Sequence, residues 1–156
     1  MSHIELSPEA FDALMKSNDR SIAISGACMI DLYLGLLFTV VMVEDPKVVK
    51  ELLDSERHGP LSSFAAKAKV AYALGLIDEQ TKEDLDYIRK IRNKFAHSPK
   101  EISFKDNPIR EYCNKLSTAK RNKDKTQRLT SIYKQAVQNN IKRINKRATT
   151  ELSRRN

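Results

Sequence analysis

Apolar residues recur at helical spacing through almost the whole chain, and local start and stop signals cut that pattern into segments. Ser7 before Pro8 is an N-cap followed by a proline at the first helical position, which predicts a short helix over 8–17 with Phe11, Leu14 and Met15 inward. Asp19 caps the next, predicted over 20–43, whose run from Ile22 to Val43 is almost uncharged. Asp45-Pro46 opens a third over 46–56, with Val48, Val49, Leu52 and Leu53 on its apolar face and a stop at His58-Gly59-Pro60. Ser62 or Ser63 caps a fourth carrying Phe64, Ala68, Val70, Ala71 and Leu74, and Gly75 suits the left-handed position that ends helices. Asp78 caps a fifth, from Glu79 to about Phe95, with Leu85, Ile88, Ile91 and Phe95 in one stripe. Its acids lie in the first turns and its bases in the last, the polarity a helix dipole favours. Asn107-Pro108 opens a sixth with Ile109, Tyr112, Cys113 and Leu116 inward. The last, from Thr126 to Ser153, carries Leu129, Ile132, Tyr133, Ala136, Val137, Ile141, Ile144, Ala148 and Leu152 at spacings of three and four.

Six or seven helices with short connections and no alternating strand pattern predict an all-α bundle. The 156 residues make a single domain, with residues 1–118 as the helical core and 119–156 as a basic connector and long amphipathic helix of the same unit. The second helix is long enough to cross a membrane. Asp31 at its centre, dilution by Ser25, Gly26 and Thr39, and the lack of an aromatic belt make it the central helix of a bundle instead, with no membrane involved. A carboxylate there needs a cation, and Arg92 is the expected mate of Asp31.

Charge adds a functional clue. The chain has 28 Lys and Arg against 20 Asp and Glu, yet residues 117–156 alone hold 12 bases against Asp124 and Glu151. A segment of that kind meets a polyanion or an acidic surface, or stands as a solvated helix. Lys142, Arg143, Lys146 and Arg147, with Arg121 and Lys125, are the residues expected to hold a nucleic-acid backbone. Cys28 and Cys113 are far apart, with no Cys-x-x-Cys and no secretory signal, which predicts buried free thiols in a reducing cytoplasm. No His, Asp and Cys set has metal-ligand spacing, so neither metal nor cofactor is expected. Glu83, Asp84 and Asp86 read as exposed first-turn acids, His58 as a surface turn residue, and Tyr72, Tyr87, Tyr112 and Tyr133 as interhelical packing with hydroxyls reaching water. No helix-turn-helix with a basic recognition helix is present.

One constellation carries chemistry: Arg92-Asn93-Lys94-Phe95-Ala96-His97. Arg forks two donors onto phosphate oxygens and His exchanges a proton near neutrality. Together they suit metal-free cleavage of RNA, in which His97 takes the 2′-hydroxyl proton, Arg92 stabilises the growing phosphorane charge, Asn93 positions, and 2′,3′-cyclic phosphate ends result. On an unbroken helix Arg92 and His97 project about 140° apart. Convergence therefore needs the helix to loosen before Ser98-Pro99, or a homodimer that brings two copies together; both are expected.

The Arg92-Asn93-x3-His97 element resembles the R-x(4-6)-H signature of the HEPN superfamily, helical domains of RNA-cleaving toxins and defence nucleases. Longer stretches are similar to the mannitol operon repressor family: Gly59-Pro60-Leu61-Ser62-Ser63-Phe64, Ala71 through Ile77, and Asp84-Leu85 through His97. That similarity covers residues 20–117 closely and the last helix loosely. It implies an all-helical, dimeric, cytoplasmic transcriptional regulator without an obvious DNA-reading motif. The leading expectation is a homodimeric HEPN-type endoribonuclease that binds RNA. The alternative is a non-catalytic regulator acting through a protein partner or modest DNA binding, with Arg92 structural and His97 a C-terminal cap. A third reading is an antitoxin or other interaction module whose basic tail binds an acidic protein.

Overall fold

The computed structural model describes residues 7–121 and 128–156. Among these residues there are eight helices and no strand: α1 (Pro8–Leu14), α2 (Asp19–Val41), α3 (Pro46–Leu53), α4 (Phe64–Ala73), α5 (Glu79–His97), α6 (Ile109–Lys115), α7 (Ser117–Arg121) and α8 (Leu129–Arg155). Most boundaries follow from capping chemistry. The side chains of Ser7, Asp45, Ser63 and Asp78 accept from backbone N–H groups two or three residues ahead, and Gly75 ends its segment at φ +69°. At α2 the cap is Asn18, one residue before the predicted Asp19. The Asp19 carboxylate instead accepts the N–H of Phe104, 3.1 Å away, and so ties the segment after α5 to the start of α2. Part of the predicted connector is α7; Lys125 and the predicted start at Thr126 lie outside the described residues.

Almost uncharged, α2 is long and apolar enough to cross a membrane by composition alone, but here it is the central helix, packed against α8, α5 and α4. Its most extensive partner is α8, which runs parallel to it: Gly26 lies beside Tyr133 and Val137, and Arg155 donates to the carbonyl of Met42. The approach is close because Gly26 has no side chain. A Cβ there would sit 3.0 Å from Val137 Cγ2 and 3.1 Å from the Tyr133 ring. Tyr133 is fully buried, and its hydroxyl donates to Ala23 O at 2.6 Å rather than reaching water as expected. Phe95 of α5, Phe104 and Tyr133 form an aromatic chain with 5.1 Å between successive ring centroids, closing the core where three segments meet.

Two polar contacts, one part-buried and one buried, differ from expectation. Asp31 finds its cation in Lys67 of α4, not in Arg92: Nζ lies 2.8 Å from Oδ1 and also donates to Ser62 O. Asp84, expected on an exposed face, is 2% exposed; it accepts from the Ser117 N–H at 2.9 Å, the Ser117 hydroxyl at 2.5 Å and Asn140 Nδ2 at 3.1 Å. This carboxylate is held by neutral donors from α7 and α8. The cysteines also divide: Cys113 is buried, whereas Cys28 is exposed on the free face of α2.

Asp84→Ala strands three donors in the core and should lower unfolding free energy by about 3 kcal/mol in urea denaturation; a loss below about 1 kcal/mol contradicts the network's role. Burial, with the charge of Asp19 second, pushes the Cys113 thiol up to about 12 and disfavours its reactive thiolate. A maleimide titration of the native protein should therefore modify Cys28 rapidly and Cys113 only after denaturation.

Candidate functional site at the end of the fifth helix

The helix α5 continues unbroken through His97, with Ser98 as its C-cap, so the loosening expected before Pro99 does not occur within the helix. Arg92 and His97 consequently leave it about 140° apart. Arg92 turns inward. Its Nε is buried with no hydrogen-bond partner among the described residues, and its charge falls near Tyr133, whose hydroxyl is pushed far above the usual phenol range by burial first and by Cys113 second, with Arg92 opposing. Asn93 is half-buried and His97 is exposed. The three residues singled out for chemistry are thus not brought to one point within the chain.

What organises this end of α5 is a residue that the motif reading missed. Arg20, in the first turn of α2, sends Nη1 to Phe95 O at 2.6 Å and Ser98 O at 3.2 Å, and Nη2 to Ser98 O at 3.2 Å and Lys100 O at 2.9 Å. It supplies the termination that had been assigned to His97 in the regulator reading. A signal for it existed in the chain: a base in the first turn of a helix, where the dipole favours acids, needs a partner elsewhere.

The basic residues of the C-terminal segment are only partly free. Arg121 Nη2 donates to Gln80 Oε1 at 2.9 Å, and Arg143 Nη2 reaches the same oxygen at 3.3 Å. Arg147 is fixed by Glu151 at 2.8 Å and by Gly75 O at 3.0 Å. Lys142 and Lys146 are exposed. Arg143, Lys146 and Arg147 border a pocket between α8 and the turn that joins α4 to α5.

A family model described as the mannitol repressor, MtlR, matches residues 12–152. The chain belongs to the MtlR mannitol repressor family. It is 31% identical over 94 residues to mannitol operon repressors of two Escherichia coli strains, K12 and CFT073. That alignment takes in 58% of this chain and 47% of each relative, so the chain spans about half the length of the repressors it matches. Its fold is similar to that in the X-ray structure of the MtlR-HPr complex from Escherichia coli, with a TM-score of 0.63, 23% identity, and coverage of 91% of this chain and 95% of that one.

These findings overturn the leading expectation. The family model and the relatives are described as mannitol repressors, and neither these nor the fold likeness supports the endoribonuclease or the HEPN resemblance on which it rested. The homodimer expected in order to converge Arg92 and His97 loses that reason with it. The MtlR resemblance read from residues 20–117 stands, and the match extends across α8.

The separate roles of Arg20 and His97 at the C-terminal end of α5 predict unequal mutational effects. Arg20→Ala removes charged donors from three carbonyls and should cost about 2 kcal/mol, whereas exposed His97→Ala should stay within about 0.5 kcal/mol of wild type. Thermal and urea melts of the two variants check this, and equal losses would contradict the assignment.

Proposed function

We propose that the chain is a non-catalytic transcriptional regulator of the mannitol-repressor type, working in the cytoplasm by docking a protein partner. The observation that carries this reading is the family match, which runs from the end of α1 to the last turns of α8 and so takes in α2 through α7 whole. The architecture is consistent with it. Arg92 is half-buried with its charge near Tyr133, Asn93 is half-buried and His97 stands apart in solvent, so the side chains serve packing and surface roles. No recognition helix was expected from the sequence, which favours control through a protein over direct reading of bases.

The partner suggested by the structural relative is an HPr protein, since that repressor was solved in complex with one. Mixing the purified chain with HPr of its own source, followed by calorimetric titration and sedimentation, should give saturable binding and a heavier species. Chain and HPr sedimenting independently at concentrations well above micromolar, while the chain still binds duplex DNA, would replace partner docking with direct DNA control.

A further inference from the structure

Between α8 and the α4–α5 turn lies a pocket of about 420 Å³, within the range of small-ligand sites. Arg143, Lys146, Arg147 and Thr150 line it from α8, at the i, i+3, i+4 and i+7 spacing that places them on one face. Gly75 and Asp78 face them across the opening. Three cations therefore meet one carboxylate. The Asp78 carboxyl is engaged as the α5 cap, held below its usual range chiefly by the Thr81 backbone N–H and also by the nearby Arg143 charge.

The three cations are in different states. Arg147 is already fixed, with Glu151 on Nε and Gly75 O on Nη1, and acts as a rigid wall. The exposed Lys146 ammonium has no hydrogen-bond or ion-pair partner among the described residues. Arg143 Nη1 is buried without a hydrogen-bond partner among the described residues, and an unpaired buried donor is costly. Its other nitrogen, Nη2, holds Gln80 only at 3.3 Å, and Gln80 keeps the shorter bond from Arg121 if Arg143 turns away. The guanidinium can thus rotate into the pocket while Gln80 stays satisfied.

We propose that this pocket binds a tetrahedral phosphate dianion, free or as the terminal group of a small monoester, with Lys146 and Arg143 as its ligating cations. A dianion suits the site because it must outweigh Asp78, and a phosphate monoester carries about −1.5 to −2 charges at pH 7. Its oxygens also match the planar fork of Arg143. A recessed pocket takes a terminal group more readily than a chain of diesters, which separates this site from a nucleic-acid track.

The test is calorimetric titration of the full chain, at constant ionic strength set with chloride, using inorganic phosphate, glycerol phosphate and a single-stranded oligonucleotide without terminal phosphate. Saturable binding of one or both phosphate probes is expected, weakened roughly tenfold or more by Lys146→Met and Arg143→Met and unchanged by Lys142→Met outside the pocket. Lys146 is exposed, so its variant keeps the fold, which circular dichroism verifies, even if Arg143→Met does not. Phosphate matching the ester assigns the free ion; a tighter ester assigns a phosphorylated metabolite. Failure of both probes to saturate, binding by Lys146→Met equal to wild type, or an oligonucleotide that binds more tightly and is lost in the same variants would each overturn the proposal.

Discussion

Burial of α2 is the constraint on which the structure depends. Between Ser21 and Val41 Asp31 is the sole charged residue, and a helix of this length extends about 34 Å. No single short neighbour can cover it. The 27-residue α8 lies along it in parallel, and α4 and α5 flank the remaining inward faces. Gly26 lets the two long axes approach, so that Tyr133 lies over the backbone of α2 and bonds to it directly. Lys67 meets the half-buried Asp31 carboxylate from α4, and its aliphatic stem fills the position it occupies beside the core. The remaining face of α2 shows Leu32, 51% exposed, to the outside.

The local parts of this architecture were readable in the sequence. Caps such as Ser63 and Asp78 act over three residues, and the apolar stripes of α5 and α8 repeat within one turn, so chain order contains both partners of each interaction. The long-range polar contacts were not readable in this way. Asp84 looked like one of several first-turn acids because its donors Ser117 and Asn140 lie 33 and 56 positions ahead. Arg92 was the plausible mate for Asp31 by charge and periodicity, yet Lys67 reaches it from a helix that crosses nearer the middle of α2. Residue type allowed either pairing, and packing chose between them.

The same distinction separates the two functional readings. An Arg and a His five positions apart have the right chemistry for cleavage, but an unbroken helix points them in different directions and the fold takes Arg92 inward. The similarity to the mannitol repressor family drew on stretches in α4, α5 and the turn before α4, where many residues constrain one another, and so carried more information than six residues. Charge asymmetry had a similar limit. A formal excess of bases counted along the C-terminal segment does not measure available cations, since Arg121 and Arg147 are already committed to partners inside the molecule.

Arg20 shows how much a single side chain can specify at a chain reversal. A helix that stops in solvent leaves its last carbonyls to water, and a crossing segment that follows would carry that water against the core. By offering a planar fork to Phe95, Ser98 and Lys100, Arg20 replaces the hydration shell with protein. A lysine would keep the charge but radiate its donors from a single point, without the span to reach carbonyls distributed over six residues. The start of α2 thus serves as a template for the path taken after α5, so that two segments 75 to 80 positions apart in the chain are built as one joint.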